Sequence, residues 1–99
     1  MEQYELSVMD ANAQLAEELK RNLSTLFATR AGSQPVDREF GISWECLDEP
    51  PEVAESLFYL EASRKVERYE PRVLIENITF ETREGILIPH LYLKRKEVT

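Results

Sequence analysis

The sequence predicts an α+β domain, with two long helices packed on a small antiparallel sheet that ends in a C-terminal β-hairpin. Three observations predict it. Two stretches, at about 11–28 and 48–69, repeat their apolar residues at helical spacing. Runs of strand composition open the chain and close it. Turn residues gather between these runs. At 99 residues, the whole chain 1–99 reads as one domain.

The first element is "YELSV", where Tyr4, Leu6 and Val8 alternate with polar residues as in a half-buried strand. The period then changes. Leu15, Leu19, Leu23, Leu26 and Phe27 fall on one helical face, and Asp10 or Asn12 can cap the helix start. "TRAGSQPVDREFG" follows, a long loop for so small a domain, and long loops in compact domains are often functional. "ISWECL" alternates briefly and reads as a short strand or extended segment holding the single tryptophan, Trp44.

The second helix is expected to start near Asp48 and the two prolines, because Pro fits a first turn. Val53, Leu57 and Leu60 make one apolar stripe. Ala54, Phe58, Ala62, Val66 and Tyr69 make an adjacent one. So wide an arc predicts packing on more than one element. Pro71 ends the helix, and Glu70 stands at its C-terminus, where an acid opposes the helix dipole at a cost of about 0.3–1 kcal/mol. The last stretch, "PRVLIENITFETREGILIPHLYLKRK", reads as a hairpin turning at Gly85. Pro89 cannot donate to a ladder, which predicts that the last strand lies at an edge or is bulged there.

Charge and composition exclude several functions. The net charge of −7 argues against nucleic acid or an anionic membrane as a partner, since phosphate binding needs clustered Lys and Arg. The opening residues show no basic region followed by an apolar one, so no signal peptide is expected there. No apolar run approaches the ~20 residues that span a bilayer. With one cysteine, Cys46, no disulfide forms within the chain, and a cytoplasmic origin is expected.

Catalytic signals are absent too. His90 is the one histidine and has no metal-ligand spacing around it. Cys46 has no His or second Cys nearby. The 19 acids make any carboxylate pair cheap to find, and no aromatic cluster beside an acid suggests a sugar cleft. No enzyme, metal or cofactor is expected. Two segments invite more than a bland reading: the loop, and "EPR", where Glu70 and Arg72 flank a proline of fixed φ. Those two charges pair with each other or are offered to a partner.

Taken in order, "ATRAGSQP", "REFG" and "RYEPRVLIENITF" resemble the lysozyme-like baseplate-wedge family of contractile phage tails, the GPW family. It includes the sheath initiators of tail-like bacteriocins and a baseplate component of type VI secretion. The resemblance runs from about Leu15 to the C-terminus. Relatives often carry Pro-Gly in the loop and an Arg before the proline, where this chain has Ala31-Gly32 and Gln34-Pro35.

The resemblance implies a structural scaffold protein, present in several copies in a tail baseplate. Its partners would be other wedge proteins and the tail sheath protein. Glu70, Pro71 and Arg72 would engage the wedge core, with Thr29, Arg30, Gly32, Pro35, Phe40 and Gly41 as loop candidates. The last strand, through Ile86, Leu87, Ile88, His90, Leu91, Tyr92, Leu93 and Lys94, would pair with the sheath by β-augmentation. The alternative is a small regulatory module that, like a bacterial anti-adaptor of similar fold, binds a single soluble partner. A peptidoglycan hydrolase is a third reading, by analogy of fold alone.

Overall fold

The computed structural model describes residues 4–32 and 36–96. Pro35 lies outside them. The described elements run β1 (Glu5–Met9), α1 (Ala13–Ala28), a short 3-10 turn (Glu45–Asp48), α2 (Pro51–Tyr69), β2 (Val73–Arg83) and β3 (Ile86–Arg95).

Helix α1 starts where its cap allows. The Asn12 side chain accepts from the Leu15 amide at 2.8 Å, satisfying one of the free donors of the first turn. Of the stripe read from the sequence, Leu19, Leu23, Leu26 and Phe27 are all at most 1% exposed, and Leu15 is half-buried at its start. Helix α2 starts at Pro51, three residues later than the first acid suggested, because Asp48 is taken up by the 3-10 turn.

The segment "ISWECL" is not a strand. Trp44 adopts a left-handed conformation (φ 61°), which breaks any extended run, and the chain then winds into the 3-10 turn. The bend drops the indole into the core between Tyr4 and Phe58, and its Nε1–H donates to the Phe27 carbonyl at 3.2 Å. A buried indole N–H needs such a partner.

The sheet departs from expectation in two ways. It is mixed, not antiparallel: the order is β1-β3-β2, with β1 parallel to β3. A two-residue turn, Glu84-Gly85 with positive φ at both, forces β2 and β3 antiparallel. β1 reaches the sheet through both helices, so no tight turn dictates its direction. Second, β3 is the central strand rather than an edge.

Pro89 fits the interior for a geometric reason. Pairs alternate along an antiparallel ladder from the hydrogen-bonded Arg83–Ile86 pair that closes the turn, which makes Phe80–Pro89 a non-hydrogen-bonded pair. The proline nitrogen therefore points away from β2. On that other side the pairing with β1 begins only at His90.

The core lies where α1, the Phe58–Ala62–Val66 face of α2, and Val73, Leu91 and Leu93 of the sheet meet, closed by Ile42, Trp44 and Cys46. All of these neighbours sit on one side of α2. The second stripe is consequently left out: Val53, Leu57 and Leu60 are 45%, 42% and 66% exposed. The expectation that α2 packs on more than one element holds, but through the buried stripe alone: Phe58 meets Phe27 of α1, Trp44 and Phe80 of β2.

Candidate functional site: a proline turn and a loop at one helix end

The acid-proline-arginine stretch is a closed β-turn. The Val73 amide donates to the Glu70 carbonyl at 3.3 Å, and Pro71 holds the second position, where its fixed φ suits the turn. The Lys96 amide donates to the Arg72 carbonyl at 2.7 Å, so the far end of β3 braces the same turn.

Glu70 is not a badly placed acid at a helix end. It is one of two buried charged residues among the described residues, and its side chain is 7% exposed. Its carboxylate accepts from Arg72 Nε at 2.8 Å, from Arg72 Nη2 at 3.2 Å and from Asn22 Nδ2 of α1 at 3.2 Å. The Arg72 hydrogen bond, with Asn22 in support, holds the Glu70 carboxyl below the ordinary range against the opposing effect of burial. In turn Glu70 pushes the Arg72 guanidinium further up.

Arg72 has two faces. Nε and Nη2 point inward to Glu70, while the side chain stays 45% exposed and Nη1 lies 3.7 Å from Glu18 of α1. The two charges do pair with each other, and one edge of the guanidinium still faces outward.

The loop is drawn to the same end of α2. The Phe40 ring meets the Tyr69 ring edge-on at 5.1 Å, and the Tyr69 hydroxyl donates to Asp37 at 2.9 Å. That bond is the main reason why the Asp37 carboxyl is lowered, whereas burial first and then the same bond push the Tyr69 phenol up. The buried Lys65 ammonium donates to the Glu39 carbonyl, and Arg68 pairs with the Glu39 carboxylate. Tyr69 and Glu70 are neighbours in sequence, so the loop and the turn share one helix end.

Thr29, Arg30, Gly32 and Gly41 close the loop on itself. Ile42 donates to the Thr29 carbonyl at 2.9 Å, Ala31 donates to the Ile42 carbonyl at 3.1 Å, and Gly32 donates to the Arg38 carbonyl at 2.7 Å. Arg30 bridges to Ile42 in parallel fashion and its Nε donates to the Ser43 carbonyl at 3.3 Å. Gly41 is required here by contact: its φ is +108°, and an added Cβ would stand 2.3 Å from the Thr29 oxygen. The spacing of "TRAG" and "FG" in the sequence therefore reflects two strands of backbone clasped together.

The expected strand residues fall into two groups. His90, Leu91, Tyr92, Leu93 and Lys94 are paired on both sides, with β1 and with β2. Their backbone is used up inside the sheet, which corrects the expectation of an open edge there. Ile86, Leu87 and Ile88 pair with β2 alone among the described residues. The outer side of β2 also has no strand beside it among those residues.

His90 stands between two acids, with Nδ1 3.1 Å from Glu5 and Nε2 3.6 Å from Glu81. Its Nε2 is buried without a hydrogen bond. Among the described residues no group of three or more His, Cys, Asp or Glu is placed to hold a metal ion, and no helix is long and apolar enough to cross a membrane.

Sequence reasoning missed Asn22, Asp37, Glu39, Lys65 and Tyr69. Asn22 meets Glu70 across 48 positions, and Tyr69 meets Asp37 across 32. No local pattern carries such contacts. The one available signal is the tyrosine directly before the acid, whose helical spacing places it in an apolar stripe instead.

Comparison with curated proteins finds no match, and comparison with solved structures finds none. The model of one family, described as baseplate wedge protein gp25, matches residues 13–93, from the first turn of α1 almost to the end of β3. With that match over most of its length, the chain belongs to the baseplate wedge protein gp25 family, a family of structural proteins of the phage-tail baseplate.

Proposed function

We propose that this chain docks on the core of a baseplate wedge through its proline turn and starts sheath assembly from its sheet, acting without catalysis. One observation carries the docking role. Glu70, buried and bonded to three donors, clamps Arg72 so that one edge of its guanidinium faces outward from a rigid turn. Arg72 is then the contact residue, and Glu70 and Pro71 position it. A preset guanidinium loses little freedom on meeting a carboxylate or a row of carbonyls, which favours both affinity and geometric specificity. The loop on Tyr69 stiffens the same helix end, so Thr29, Arg30, Gly32, Phe40 and Gly41 contribute to docking by support.

Sheath pairing falls to the open parts of the hairpin: the outer side of β2 and the stretch Ile86–Ile88. The ladder positions His90 to Lys94 hold β1 instead and are not offered.

The test is co-purification of the wedge partners with Arg72→Ala, beside Arg72→Lys. The expected result is that Arg72→Ala stays folded and loses the partners, and that Lys, lacking the planar fork, restores them only in part. Full retention of the partners by Arg72→Ala would refute the docking role.

A further inference from the structure

The exposed stripe of α2 is the feature that neither the fold nor the proposed docking turn accounts for. Val53, Leu57 and Leu60 recur at i, i+4 and i+7, and Arg64 continues the line at i+11. Scattered exposed apolar residues need no explanation, but these three are aligned. Leu57 and Leu60 also form one wall of a groove of about 550 Å³ whose other wall is the 3-10 turn, with Glu45 and Glu49.

Charge makes the groove selective. The carboxylates of Glu45 and Glu49 meet no partner among the described residues. Glu61 accepts from the Ser43 amide at 2.9 Å and the Ser43 hydroxyl at 2.8 Å. Against these three acids stands a single cation, Arg64.

We infer that this groove is a second docking site, separate from the proline turn, for an amphipathic helix of a partner protein with an apolar stripe flanked by lysine or arginine. A helix fits because the groove wall is itself a helix face, whose i, i+4, i+7 ridge meshes with another helix. A strand finds no sheet edge there, since none of the described residues lining the groove belongs to a β-strand. A second copy of this chain is a poor occupant. In a two-fold contact the same patch meets itself, so each copy's three acids would face three more acids and one arginine. None of Glu70, Pro71 and Arg72 lines the groove, which makes the two surfaces independently testable.

The experiment is an NMR titration of the full chain with a synthetic peptide carrying leucines at i, i+4 and i+7 with lysines beside them. A matched peptide has glutamates in place of the lysines. The expected result is that the lysine peptide shifts the amides of 45–49 and 57–64. The glutamate peptide should bind at least about tenfold more weakly. Leu57→Glu and Leu60→Glu, both at exposed positions, should keep the wild-type melting temperature and lose the peptide shifts, while Arg72→Ala should keep them. No shifts up to about 1 mM peptide, shifts confined to other surfaces, or equal binding of both peptides would each overturn the inference. Groove amides that move when the protein alone is diluted would overturn it in favour of a second copy.

Discussion

Replacing Glu70 by Gln keeps the shape of the side chain and removes its charge, which isolates what the buried carboxylate does. Oε2 accepts from both Asn22 and Arg72 Nη2, and Oε1 accepts from Arg72 Nε. A glutamine has one acceptor oxygen. Wherever it points, its NH₂ group faces at least one donor of Arg72, and no fewer than one charge-assisted bond is lost. A hydrogen bond to a charged group contributes about 1.5–3 kcal/mol. Because Arg72 is 45% exposed and can turn toward water, the lower end applies. The expected loss is therefore about 1.5–2 kcal/mol. For a domain of this size that lowers the melting temperature by about 10 °C and the urea midpoint by about 1 M.

The pH dependence provides a sharper check. Glu70 has a folded pKa below its ordinary value of 4.5, chiefly through the Arg72 hydrogen bond. Its ionised form thus stabilises the fold fully above about pH 4.5, and that contribution fades as pH falls through the lowered value. The gap between wild type and Glu70→Gln should be widest at pH 7 and close in strong acid, where both side chains are neutral. Urea unfolding at neutral and acid pH measures it. Coincident midpoints at pH 7, or a gap that persists unchanged into acid, would refute the account of Glu70 as a buried, ionised clamp.

Three further perturbations probe the parts around it. Gly41→Ala should destabilise by about 1–3 kcal/mol from its positive φ alone, with the contact against the Thr29 carbonyl adding to it; thermal melting reads the loss. Phe58→Ala empties the centre of the aromatic cluster of Phe27, Trp44 and Phe80 and should cost about 3–5 kcal/mol by denaturant unfolding, with Trp44 fluorescence reporting the disturbed packing. Tyr69→Phe removes the main cause of the lowered Asp37 carboxyl, so an NMR titration should find Asp37 moved upward; an unmoved Asp37 would mean that Tyr69 does not hold the loop.

Much of the architecture was legible because it rests on periodicity. The four buried residues of α1, the stop at Pro71 and the turn at Gly85 follow from side-chain spacing, proline geometry and glycine φ, all local properties. The ordered motifs around the loop and the turn were also enough to indicate the family.

Other features depended on contacts between residues far apart in the chain. Period alone could not say which of two apolar stripes on α2 is buried, since that depends on how many elements the domain can place around it. It could not order the strands either: β1 enters beside β3 through a connection long enough to run either way, and so takes the middle of the last strand out of play. Above all, the sequence by itself set Glu70 and Arg72 on either side of a rigid proline. Only the tertiary structure decided that the acid faces inward to Asn22 while the arginine keeps one edge in solvent, because burial of a charge depends on partners that come together only when the chain folds.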